Sequence, residues 1–189
     1  MGSFIMKKFL FSCHQFVVTN VFVALLILPA FAFADQTPWK TTVGNGSPQT
    51  NLNWPGYNTG YEFTVLADGE ITKLGGFFNG TKTVRLYNSS GVQVAIVNTT
   101  DSNSWGYASV SSVAVAAGEK YTVAVQTGWG GASMYIGAFG CCGPVFPTFP
   151  HVVGDIQINK AVFGFGTNRP TWELWGQMWG QADITFVAD

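Results

Sequence analysis

"GYEFTVLADGEITKLGGFFNGTKTVRLYNSSGVQVAIVNTT", Gly60–Thr100, decides the fold. Its apolar residues recur at every second position, the period of a strand with one buried face. In "YEFTVL", Tyr61, Phe63 and Val65 share a face, and Glu62 and Thr64 take the other. "TVRLY" sets Val84 and Leu86 against Arg85 and Tyr87, and "VQVAIV" sets Val92, Val94 and Ile96 against Gln93 and Ala95. Asp68-Gly69 and "NSSG", Asn88–Gly91, punctuate these runs as turns.

The same pattern continues toward the C-terminus. "KYTVAVQ" alternates Tyr121, Val123 and Val125 with Thr122, Ala124 and Gln126, after a turn at "AAGE", Ala116–Glu119. "DITFVAD" alternates Ile184 and Phe186 with Asp183 and Thr185. Several short strands at this spacing predict an all-β sandwich or barrel. "TWELWGQMWGQ", Thr171–Gln181, has tryptophans at helical spacing, but Gly176 interrupts it; a loop or irregular strand is expected there, with a single helical turn as the alternative.

Lys7 and Lys8, an apolar stretch ending "VFVALLILPAFAFA", and small residues at Ala32 and Ala34 predict a secretory signal peptide over 1–34. Residues 35–60 are polar and rich in Pro, Gly and Asn, and are expected as an extended arm; 61–189 form the domain. After cleavage seven Lys and Arg face ten Asp and Glu, because Lys7 and Lys8 leave with the leader. With no basic stripe, nucleic acid is not an expected partner. The expected location is outside the cell or in a periplasm, without a membrane anchor.

Three motifs carry a family resemblance: Ile71-Thr72-Lys73-Leu74-Gly75, the run Val84–Ala95 with Gly91 in its turn, and Val113–Tyr121 with Ala117-Gly118. With the closing "ADITFVAD", they resemble a bacterial jelly-roll family of unknown function over roughly residues 60–189. The resemblance implies an antiparallel, jelly-roll-like β-sandwich, often found beside secreted carbohydrate-active and surface proteins. It implies no catalytic residue, and the segment "GCCGPVFPTFPH" is outside its pattern.

No H-E-x-x-H, G-x-S-x-G or C-x-x-C occurs, and His151 is the single histidine after the leader, so no enzyme is expected. Glu62, Glu70, Asp155, Glu173 and Asp183 are the carboxylates from which a glycosidase dyad would have to come, but they read as surface. "TTDSNSWG", Thr99–Gly106, is read as a loop whose Asp101 and Asn103 are candidate calcium ligands, the one cofactor left open. Cys141 and Cys142 are adjacent. An oxidising compartment offers them a strained vicinal disulfide, a bond to another chain, or burial as free thiols.

Trp129 lies among the glycines of "QTGWGG", Tyr135 follows in "SMYIG", and Trp172, Trp175 and Trp179 cluster near the end. Trp129, Tyr135, Trp175 and Trp179 are the candidate ligand-binding residues, because flat rings on loops suit a sugar face. The expected function is carbohydrate or cell-surface recognition, with a glycan or surface polysaccharide as partner. The alternative is a structural subunit of a filament or matrix, self-associating through the arm.

Overall fold

The structure is a computed structural model that describes residues 34–44, 51–52, 56–128, 134–138, 148–174, 177–179 and 181–189. The expected signal peptide lies outside the described residues, Ala34 excepted. In chain order the elements are α1 (Pro38–Val43), β1 (Asn51–Leu52), β2 (Tyr57–Val65), β3 (Gly69–Asn88), β4 (Gln93–Val115), β5 (Lys120–Gln126), β6 (Met134–Ala138), β7 (His151–Val153), β8 (Ile156–Phe165), β9 (Trp172–Leu174), β10 (Gln177–Trp179) and β11 (Ala182–Ala188).

The described chain is all-β apart from α1. Eight strands form one open antiparallel sheet, β11-β3-β5-β2-β8-β7, with β4 along β3 and β9 along β8; β1, β6 and β10 form a separate three-stranded sheet. The expected turns join the strands. At Asn88–Gly91, Asn88 Oδ1 accepts from the amides of Ser90 (3.1 Å) and Val92 (3.0 Å), and Gly91 takes a left-handed φ of 84°. β4 runs beside β3 for nearly its whole length. β11 pairs with the first part of β3, Gly69–Gly76, and β5 with the last part, Thr83–Asn88. Tyr61, Phe63 and Val65, Val84 and Leu86, Val123 and Val125, and Ile184 and Phe186 all enter one core, as the alternation predicts.

Four expectations need correction. The first concerns β4, where Val92, Val94 and Ile96 face water while Ala95 and Val97 pack on the core. A register shift at Leu86/Tyr87 leaves Val94 without a partner on β3, and Ile96 pairs with Arg85 on the face away from the core. One extra residue in a strand inverts the facing of the residues beyond it. The second concerns Thr99–Gly106, which is not a loop. It lies inside β4, with Asn103 as a bulged residue at φ 53°.

The third concerns the N-terminal arm, expected to be extended. It is helical over Pro38–Val43, and β2 begins inside its expected bounds, at Tyr57. Pro38 suits the first helical position, where its missing N–H has no partner to lose. The amides of Trp39 and Lys40, which a short helix leaves unsatisfied, donate to Asp183 Oδ1 and Oδ2, each at 3.0 Å. Trp39 is fully buried against Tyr61, with ring centroids 6.3 Å apart. Gln36 bonds the main chain of Phe186 on β11, and its side chain bonds Asp155 in the turn between β7 and β8. β11 and β7 end the main path of the sheet, so the arm bridges its two ends.

The fourth is Asp183, expected on a solvent-facing side and fully buried instead. Tyr61 Oη donates to its Oδ1 and Tyr107 Oη to its Oδ2, both at 2.8 Å, in addition to the two helix amides. Burial pushes the carboxyl above its ordinary range, and the four donated bonds pull the other way. Desolvation, followed by the charge of Asp183, raises both phenols.

On the face away from the core, Arg169 spans three elements. Its Nη2 bonds Glu62 Oε2 at 3.0 Å, Nε bonds Thr122 Oγ1 at 3.1 Å, and Nη1 bonds the Ser89 carbonyl at 2.6 Å. Arg169 thus covers Thr122, which is buried; Ala124, also buried, lies between Gly60 of β2 and Arg85 of β3.

Candidate functional site

The register of the sheet lays the core-facing residues out in rows. One row runs Ala95, Leu86, Val123, Tyr61, Ala161, Leu174 across β4, β3, β5, β2, β8 and β9. It is apolar, and Tyr61 sends its hydroxyl to Asp183. The next row runs Val97, Val84, Val125, Thr59, Phe163, Trp172. One step further come Thr99 beside Lys82, then Thr127 bonded to Tyr57, then Phe165. Toward this end the face therefore changes from aliphatic to aromatic and polar.

The change is sharpest on β2, β8 and β9. Phe165 and Trp172 are 58% and 52% exposed, although both lie on the side of their strands that elsewhere forms the core. Trp172 meets Phe165 and Phe163 edge to face, each with centroids 5.3 Å apart. Tyr57 backs Phe165 at 4.8 Å. Edge-to-face contacts of this kind contribute about 0.5–1.5 kcal/mol each, and here they fix the plane of a half-exposed indole. The Thr127 amide donates to the Tyr57 carbonyl and the Tyr57 amide to Thr127 Oγ1, which holds the strand end beneath it.

Lys82, at the β3 end of the last row, is 2% exposed. Desolvation lowers its ammonium to about 8. As pH rises from about 8 to about 10, the unfolded chain keeps a lysine proton that the folded chain has released, so stability climbs through that window. Urea unfolding at pH 7.5 and 9.5 is expected to show the climb, and Lys82→Met to flatten it. A flat profile in the parent protein would mean that the amine is solvated.

Of the residues expected to bind ligand, Trp129 and Trp175 lie outside the described residues, as do Cys141 and Cys142. Tyr135 and Trp179 belong to β6 and β10, whose main chains pair, with Trp179 opposite Ile136. β10 lies against β2 and β8, and β6 against β3. The backbone thus brings Trp179 to β2 and β8, which carry the aromatic rows, and Tyr135 to β3. Alternation did not single out Phe163, Phe165 or Tyr57. The available signal was "VFGFG", two phenylalanines on one face at a strand end, separated and followed by glycine.

Of the calcium candidates, Asp101 lies on β4 against Gly106, and burial raises its carboxyl. Among the described residues no three His, Cys, Asp or Glu side chains come within reach of one metal ion. The candidate dyad carboxylates Glu62, Asp155 and Asp183 are each tied to different partners: Arg169, Gln36 and the α1–tyrosine cluster. A concavity of about 400 Å³ lies at the other end of β5, lined by Asn88, Ser89, Gly118, Glu119, Lys120 and Tyr121. Its Glu119 carboxylate already accepts from Tyr121 Oη and the Ala116 amide. No helix of the described residues is long and apolar enough to cross a membrane.

No protein-family model matches this chain, and no curated protein matches it significantly. The motifs quoted above fall on the first part of β3, the β3–β4 hairpin and the β4–β5 hairpin.

Proposed function

We propose that this protein is an exported, non-enzymatic carbohydrate-recognition module that binds through the Phe165–Trp172 surface. One observation carries the reading: two large rings stand half in water on the face of the sheet that otherwise packs the core. A pyranose face covering about 80 Å² of one ring gains roughly 2 kcal/mol. Millimolar affinity takes about 4 kcal/mol. Two fixed rings reach that threshold where a single ring does not, and rings already held in place lose little freedom on binding.

The passage of β3 from pairing with β11 to pairing with β5 supports a finer reading of the fold as a two-layered, jelly-roll-like sandwich, because the two parts of β3 line one core. The basic, apolar and small-residue order of the first 34 residues supports export. For the filament reading, the arm is a weaker donor than its composition suggests, since Gln36 and Trp39 are engaged within their own chain.

Isothermal titration against a glycan panel tests the proposal. Trp172→Ala is expected to weaken binding about 30-fold, the loss of roughly 2 kcal/mol, with the thermal midpoint nearly unchanged. Binding that ignores both Trp172→Ala and Phe165→Ala would overturn it, as would no binding to any glycan.

A further inference from the structure

The geometry points to a second copy of this chain as the partner of β4, the two strands pairing antiparallel edge to edge about a two-fold axis. Among the described residues β4 pairs with β3 alone, and its other edge has no strand partner there. Exposed edges are normally guarded by lysines, prolines or short length. β4 runs the 23 residues Gln93–Val115 with a single charge, Asp101, and no proline. Beside that edge, Val92, Val94 and Ile96 are 58%, 37% and 48% exposed. An apolar stripe next to an edge that carries neither lysine nor proline is a docking surface rather than a solvated one.

Bulges limit where pairing can occur. The register with β3 steps over Val94 and Asn103, and between them Ala95–Ser102 runs regularly. That run is about 27 Å long at roughly 3.4 Å per residue. Its chemistry suits itself. With the two-fold axis at Asn98, Ile96 faces the second copy's Thr100, and Asp101 faces Ala95 instead of another carboxylate. Both faces of the sheet then continue across the junction, which keeps every side chain on its own side. The arm, the other strand donor in this chain, is already bonded to β11 through Gln36.

Pairing at β4 leaves Trp172 uncovered, because β9 lies at the opposite side of the path β4-β3-β5-β2-β8-β9. Two such surfaces on one dimer raise the avidity for a repeating polymer without any new contact. The dimer itself does not depend on the ligand reading.

Sedimentation equilibrium on the purified chain tests it, together with non-reducing electrophoresis of Asn98→Cys. The parent protein is expected to dimerise in the micromolar range. Ile96→Lys and Thr100→Lys, both at exposed positions, are expected to yield monomers with unchanged circular dichroism. Asn98→Cys is expected to form a band of twice the mass that parent protein lacks. A parent protein monomeric at about 100 μM overturns the proposal. So does a dimer that survives both lysine variants, or a failure of Asn98→Cys to cross-link.

Discussion

Asp183→Ala is expected to lower the unfolding free energy by about 3–5 kcal/mol, the usual loss when one member of a buried, bonded set is removed. The carboxylate accepts four hydrogen bonds, two from the amides that open α1 and two from Tyr61 and Tyr107. Trp39 and Tyr61 have no exposed surface, so water cannot replace the lost acceptor without opening the core. For a chain of this length each kcal/mol moves the thermal midpoint by roughly 2–4 °C, so the variant melts about 6–20 °C lower. Asp183→Asn keeps the shape and one good acceptor, but turns an NH₂ group toward donors, and loses about half as much. Urea titrations of the three proteins decide the matter. A loss under about 1 kcal/mol for Asp183→Ala would mean that desolvating the carboxyl costs as much as its four bonds return.

Trp39→Ala is expected to be of similar size, about 3–5 kcal/mol, through the cavity left by the indole. Its effect should also be local. Trp39 anchors α1, and through α1 and Gln36 the bridge between β11 and the β7–β8 turn. Trypsin is therefore expected to cut the variant after Lys40 well before the rest of the domain, and to spare that bond in the parent protein. Because Trp39 and Asp183 act on the same helix, the double variant should lose less than the sum of the two single losses. Additive losses together with a protected Lys40 would show that the arm is held by something else.

How much of this was legible beforehand differs from element to element. The alternation in Tyr61–Val65, Val84–Leu86 and Tyr121–Val125 announced strands and named their core faces correctly. The same rule misassigned "VQVAIV", because a bulge opposite Tyr87 depends on the partner strand and leaves no local mark. α1 was invisible, since six residues hold no helical period and its stabilising cap sits on β11, more than 140 residues away. Of the candidate site, the idea of exposed aromatics came from the tryptophan-rich end of the chain. The partners of Trp172 did not, because Phe163 and Phe165 reach it only across the β8–β9 pairing.

By itself, then, the sequence determined the class of structure and most of its core, because burying one side of a strand imprints a two-residue rhythm on the chain. Tertiary structure decided the rest: which ends of the sheet the arm bridges, that Asp183 is a lock and not a surface charge, and that β8 and β9 carry their core-facing aromatics out into water. Each of these depends on a partner distant along the chain, and a local pattern holds no record of a distant partner.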